Sequence, residues 1–394
     1  MIICDLKACT GCCCCLNVCP SDAIYMVEDE MGKTVSQIDE SRCISCMLCV
    51  MKCPVNRSVS FYRPHACYAL WTKDHVDRES CASGGVATGF SRWVIQQEGV
   101  VFGAIFDAKQ RLCHEMVDEE NKLEALKRSK YVQSFIGTSY RRVKEQLVMG
   151  KYVLFVGTPC QIDGLHGYLG REHETLVTVD LICHGTPPAA YLREYVHYTA
   201  AQRNNTADHV TFRGGKDDYF LTLWNRHDVI YRKEANLDSY FTAFLYGLIF
   251  RDNCYHCQYA KPDRVSDITI GDFWGLDRTT LSNSYDGKIS LALINTKRGQ
   301  EFFARVNHLF TWETRSVEEA IDGNPQLQKP AVKDRDRERF EKAYKIGGFV
   351  KAIHSTTIPR RIKIAKIRRI ATSPIRIARK VHRRIKLKMD SKHQ

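Results

Sequence analysis

No stretch of this chain approaches the roughly 18 consecutive apolar residues that a membrane-crossing helix needs. The longest apolar-rich run, Tyr240 to Phe250, has the length of a buried core helix. No basic segment followed by an apolar one opens the sequence, because Met1-Ile2-Ile3-Cys4 runs at once into cysteine-rich chain. A secretory leader, and with it an exported disulfide protein, is therefore not expected. Glycine-rich phosphate loops are missing as well. No GxGxxG or GxxxxGK opens a helix-like segment, which sets aside a nicotinamide-type Rossmann site and a P-loop. Most of the chain also lacks a charge excess. There are 58 Lys and Arg against 45 Asp and Glu, and residues 355–394 hold 14 of the bases and one of the acids. The net charge of +13 thus belongs to that segment, and the body needs no nucleic-acid partner.

What the chain has in abundance is cysteine, 18 in 394 residues. Eight of them repeat one spacing. Cys9-x2-Cys12-x2-Cys15-x3-Cys19-Pro20 recurs 34 positions later as Cys43-x2-Cys46-x2-Cys49-x3-Cys53-Pro54. Three thiolates two residues apart can wrap three corners of a cubane if the backbone between them turns tightly, and the proline stops the chain from continuing as helix interior. This is the bacterial two-cluster ferredoxin pattern, in which the fourth cysteine of each run serves the other cluster. It implies one [4Fe-4S] cluster on Cys9, Cys12, Cys15 and Cys53, and a second on Cys43, Cys46, Cys49 and Cys19. A zinc ribbon would need only paired CxxC units at longer separation. Thiols loaded with iron and sulfide point to the cytoplasm.

At this length two or three domains are expected. Residues 1–60 read as an α+β cluster module, with short strands at Ala23–Met26 and Lys33–Ile38, and Phe61 to Pro64 as its exit linker. Beyond it, residues 100–106, 152–157, 176–182 and 289–294 read as buried strands. Residues 85–97, 139–149, 189–202 and 299–309 read as amphipathic helices, and their alternation with the strands favours an α/β body. Four further cysteines sit in unusual places: Cys160 and Cys183 directly after strands, and Cys254 and Cys257 as a CxxC. Strand ends are where ligands collect in such a core, and these four thiols would suffice for a third [4Fe-4S] cluster. Buried structural cysteines with a separate redox pair or half a zinc site fit the spacing too. Ser83-Gly84-Gly85 precedes the first body helix, where backbone N–H groups suit a phosphate or simply start a helix. Lys130 and Tyr131 offer a cation and an aromatic that could clamp a flavin, or lie in a surface strand.

The basic segment spaces isoleucines at helical intervals. Ile358, Ile362 and Ala365 share one face before Pro374, and Ile377, Ala378, Val381 and Ile385 share one after it. Such a segment suits an anionic membrane surface or an acidic partner, or stays a solvated extension. Without stacking aromatics there, nucleic acid is not the expected partner.

Taken together, the motifs resemble the coenzyme F-420 (deazaflavin) hydrogenase/dehydrogenase beta-subunit family, in its version with an N-terminal two-cluster ferredoxin domain. The resemblance rests on Ala82 to Val86, Ser129 to Ser134, Val156 to Leu165, Asp180 to Gly185, Arg251 to Gly275 and the stretch from Ile289 to Gly299. It implies an α/β flavoprotein body with an N-terminal domain at 65–150 and a C-terminal domain at 151–350; the basic helical or disordered tail at 355–394 departs from the family pattern. It further implies FAD held by Ser83, Gly84, Gly85, Lys130, Tyr131 and Asp272, and favours the third cluster on Cys160, Cys183, Cys254 and Cys257. The expected activity is an oxidoreductase relay between a hydride carrier at FAD and one-electron carriers, with a donor or acceptor protein as partner. Related chains associate with polysaccharide synthesis, so a setting on the inner face of the cell membrane is expected. The alternative is a non-catalytic redox or scaffold protein docked to a membrane-associated biosynthetic complex.

Overall fold

The computed structural model describes residues 2–371, apart from 108, 109, 215–217 and 284. The face Ile377, Ala378, Val381, Ile385 lies outside the described residues. In the cluster module, strands β1 (Ile24–Glu28) and β2 (Thr34–Ile38) form an antiparallel hairpin, with Ile24 opposite Ile38. Short helices Cys14–Val18 and Leu48–Met51 flank it.

The body is built on eight strands: β3 (Ala66–Thr72), β4 (Val100–Phe106), β5 (Leu112–Val117), β6 (Val153–Gly157), β7 (Leu176–Leu181), and beyond them Ile268–Asp272, Ser290–Ile294 and Phe310–Arg315. Between β7 and those last three come β8 (His209–Gly214), β9 (Asp218–Asn225) and β10 (Asp228–Glu234), which pair as a separate three-stranded antiparallel sheet. Ile268–Asp272, Ser290–Ile294 and Phe310–Arg315 are therefore β11, β12 and β13, and the large sheet runs β13-β3-β12-β11-β7-β6-β4-β5. Its centre, β4-β6-β7-β11, is parallel, and the outer strands are antiparallel.

The unbroken apolar runs of β4 and β6 follow from cover on both faces. Val101, Leu154 and Val177 meet Phe90 and Val94 of helix Val86–Gln96 on one side. Phe102, Phe155 and Leu176 meet Tyr140, Val143, Ile162 and Leu165 on the other. The expected core helix at Tyr240–Phe250 is a shorter one, Ser239–Leu245, because Gly247 takes a left-handed φ of 65° and turns the chain away. The tail differs more. Ile358 and Ile362, expected on a face turned to a partner, are buried in the core built around the three-stranded sheet, since that core offers them apolar cover.

The sheet contains a titratable tie. Buried His114 of β5 stacks on Phe155, and its ring nitrogens bond the Val156 carbonyl (3.0 Å) and Ser134 Oγ (2.9 Å). Burial, with nearby Lys130 adding to it, pushes its pKa down to about 4. The unfolded chain therefore takes up the proton first as pH falls, so this contribution is present above about pH 6.5 and is lost towards pH 4. Unfolding titrations at about pH 7 and pH 5 should differ by about 2 kcal/mol from this residue, and His114→Gln should flatten that difference.

Candidate electron-transfer site

The repeated cysteine spacing has a repeated backbone. Gly11 and Cys13 take left-handed φ values of 67° and 59°, and Ser45 and Met47, each 34 positions on, take 54° and 61°. Left-handed residues between ligands make the tight wrap the motif requires. Three of the four are not glycine, so the module stores strain that bound metal must offset.

The fourth cysteines cross over. Cys19 lines one small cavity with Cys43, Cys46 and Cys49. Burial raises Cys15, and the charges of Cys12, Cys13 and Cys9 raise it further. Cys53 lies with that set: its bond to Cys4 holds it down near 7, and it feels the charge of Cys9. Cys4 is thus a fifth thiol at the edge of the first set, bonded to both Cys9 and Cys53, and no repeat marked it in the sequence.

Parallel β6, β7 and β11 end at one edge of the sheet, and the second constellation gathers there. Thr158 caps helix Pro159–Leu169 and bonds Cys160 Sγ at 3.2 Å. Cys183 follows β7, and Cys254 and Cys257 lie in and just after the 3₁₀ turn Asp252–His256. Burial raises Cys160, and the charges of Cys183, Cys257 and Cys254 raise it further. Burial likewise pushes Cys183 to about 12, helped by Cys254 and Cys257. Four thiols separated by up to 97 positions are therefore near enough for their charges to act on one another. They are a donor set suited to an iron–sulfur cluster, and Asn253 Oδ1 beside them has no partner among the described residues.

The first and third thiol sets adjoin. After burial and Asp163, the charges of Cys160 and Cys12 both act on Tyr259, whose hydroxyl donates to Asp163 Oδ2 at 2.7 Å. Arg57 of the module completes that network by pairing with Asp163. Gly164 is needed here for close approach: a Cβ on it would lie 2.9 Å from Cys12 Cβ and 2.8 Å from Tyr140 Oη. Gly164→Ala gains up to about 1 kcal/mol of helix propensity but overpacks against two fixed neighbours, at about 1–3 kcal/mol. Net destabilisation of the iron-loaded protein is expected, read as a lower urea midpoint.

The residues expected around FAD collect at the same sheet edge. Ser290 of β12 stands opposite Asp272 of β11. Its Oγ accepts from the Gly84 N–H at 2.8 Å and donates to Ser83 Oγ at 3.0 Å. Gly85 opens helix Val86–Gln96 beside them. Tyr131 packs on Phe212, Phe241 and Phe244. Asp272 Oδ2 accepts from Arg213 (2.8 Å) and Tyr219 (3.0 Å).

Lys130 is a correction. Its ammonium donates to the carbonyls of Ala125, Leu126 and Lys127 at 2.8–3.1 Å, closing a 3₁₀ turn, and burial lowers its pKa to about 7. All three donors are engaged, so Lys130 shapes the loop rather than clamping a phosphate.

Sequence reasoning missed Arg213, Tyr219 and Gln326. Arg213 Nε and Gln326 Oε1 are buried without a partner among the described residues, and Gln326 bonds His184, next to ligand candidate Cys183. A buried donor and a buried acceptor left without partners are the groups that a polar ligand would satisfy. No spacing rule could have found them, because each arrives from a separate segment.

Comparisons with known proteins bear on both halves. Residues 8–57 match the 4Fe-4S dicluster domain, and residues 150–320 match the C terminus of the coenzyme F420 hydrogenase/dehydrogenase beta subunit. An uncharacterized protein of Methanocaldococcus jannaschii is 23% identical over 372 residues, spanning 84% of this chain and 95% of its own length. An uncharacterized ferredoxin of the same organism is 38% identical over 55 residues, 14% of this chain and 70% of its own. A chain of the F420-reducing [NiFe] hydrogenase complex from Methanosarcina barkeri, solved as a xenon derivative, superposes with a TM-score of 0.45 at 16% identity, covering 74% of this chain and 97% of that one. The chain therefore joins a 4Fe-4S dicluster domain at residues 8–57 to a segment, residues 150–320, similar to the C terminus of the coenzyme F420 hydrogenase/dehydrogenase beta subunit, as an iron–sulfur protein of oxidoreductase type.

Proposed function

We propose that this protein relays electrons between a hydride carrier and a one-electron carrier, using FAD at the body's sheet edge and three [4Fe-4S] clusters. The observation that carries the reading is the meeting of Cys160, Cys183, Cys254 and Cys257 at the strand ends, with Cys12 of the module on one side. On the other side His184 packs against Phe244, which packs against Tyr131. When bound, flavin exchanges an electron pair with a hydride carrier and single electrons with clusters.

The chain's own residues position and insulate. Cys46, the exposed thiol of the outer set, brings that set to the surface where a protein partner could dock. Tyr140 and Tyr259 fill the space between the first and third sets, and Phe244 and Phe250 keep water from the third. Arg213 and Tyr219 fix the Asp272 carboxyl at the sheet edge by donating to its Oδ2.

Anaerobically purified protein should hold about twelve irons per chain, as three sets of four ligands require, together with bound flavin. Reduced coenzyme F420, a reduced nicotinamide and reduced ferredoxin are then tried as donors to that flavin, and bleaching by the reduced deazaflavin is expected. Iron saturating near eight, or a preparation free of flavin, would overturn the proposal.

A further inference from the structure

The helix over residues 358–371 carries two isoleucine stripes, and the body uses only one. At 3.6 residues per turn, Ile358, Ile362, Ala365 and Arg369 share one side. That side is committed: Ile358 and Ile362 are 1% and 9% exposed, and Arg369 reaches Glu234 at the end of β10, 3.2 Å away. Ile364, Ile367 and Ile370 fall on the opposite side and are 40%, 58% and 74% exposed. Arg360, Lys363 and Lys366 stand among and beside them, and no acidic residue interrupts positions 358–371. At the root of the helix, Arg361 pairs with Asp334 and lies 4.1 Å over the ring of half-exposed Tyr246. In sequence the same isoleucine, arginine and lysine composition continues past residue 371.

A solvated helix has no use for three isoleucines in the middle of its wet face. A nucleic-acid contact would use the cations but gain nothing from aliphatic side chains between them. Apolar residues centred between flanking lysines and arginines are the pattern of a helix lying in a lipid interface, where the aliphatic side chains enter the acyl boundary and the cations meet anionic headgroups. The segment 358–371 is also too charged to cross a bilayer, and among the described residues no helix is long and apolar enough to do so. Because the remaining 354 residues balance in charge, attraction to an anionic surface would orient the molecule with this helix towards it.

We propose that the helix over residues 358–371 seats this protein on an anionic lipid surface through Ile364, Ile367 and Ile370, leaving the cluster module and the sheet edge in the aqueous phase. The full-length, iron-loaded protein should sediment with phosphatidylglycerol–phosphatidylcholine vesicles and stay in solution with phosphatidylcholine vesicles alone. The triple variant Ile364→Asn/Ile367→Asn/Ile370→Asn should bind the anionic vesicles roughly tenfold or more weakly, with iron content and thermal midpoint unchanged, since these side chains face solvent. Lys363→Glu/Lys366→Glu should weaken binding and reduce its salt dependence. Three results would each overturn the proposal: no sedimentation of the full chain with anionic vesicles, binding by the triple asparagine variant equal to that of the parent, or binding that a short nucleic-acid duplex competes away while the asparagine variant behaves as the parent.

Discussion

Cys183→Ala is expected to lower the iron content by about four per chain, the complement of one cubane, while the 4Fe-4S dicluster domain keeps its own. Electron flow from a hydride donor to an external one-electron dye should stop, although the isolated module still accepts electrons from dithionite. The reason is geometric. Cys183 is the one ligand candidate supplied by the end of β7, between Cys160 from the end of β6 and the pair Cys254 and Cys257. The thiol charges that act on Cys160 are those of Cys183, Cys257 and Cys254, so loss of Cys183 removes one of the four. Were these four merely buried structural cysteines, Cys183→Ala would cost little beyond a small cavity. Iron would then be the same before and after. Iron and dye reduction measured on the same preparation separate the two cases.

Arg251→Gln should lower the reduction potentials of the first and third clusters together. Arg251 is only 1% exposed, yet its partners are the carbonyls of Cys9 (3.0 Å) and Thr34 (3.1 Å) and Gln133 Oε1 (2.9 Å), none of which carries charge. Its Nε has no partner among the described residues. A buried cation left unbalanced in this way is costly, and the anionic clusters proposed on both sides would supply its counter-charge. Its field already acts on Cys9 and Cys13 of the module and on Cys254 of the body. A unit charge about 7 Å from a cluster at an effective dielectric of about 20 contributes roughly 2 kcal/mol, on the order of 100 mV for one electron. Redox titration followed by electron paramagnetic resonance should show both midpoints moving to more negative values in Arg251→Gln and staying near the parent in Arg251→Lys. Unmoved midpoints in the glutamine variant would mean that Arg251 only ties the module to the body through the carbonyls it bonds.

The parts of this molecule that could be read in the chain are those written as local repeats. Eight cysteines at one spacing, given twice, need no tertiary information, because a cubane dictates how far apart its ligands can stand along a wrapped backbone. Strands β4, β6, β7 and β12 were legible for a similar reason: burial on both faces leaves an unbroken apolar run. The antiparallel edges and the sheet β10-β9-β8 were not, since their one-sided or broken patterns resemble loops and charged surface.

Tertiary structure decided the rest. Only folding brings Cys160, Cys183, Cys254 and Cys257 within electrostatic reach of one another, because the parallel strands that precede Cys160 and Cys183 end at one edge of a sheet whose order no spacing encodes. Only folding shows that Lys130 spends its donors on three carbonyls, or that Arg213 and Gln326 each bury an unmatched polar atom. The tail makes the division plain. Its sequence determined an amphipathic, basic helix with isoleucines on two sides, but helical period alone cannot say which stripe a neighbour will cover. The core around the three-stranded sheet took Ile358 and Ile362, and that choice left Ile364, Ile367 and Ile370 facing out.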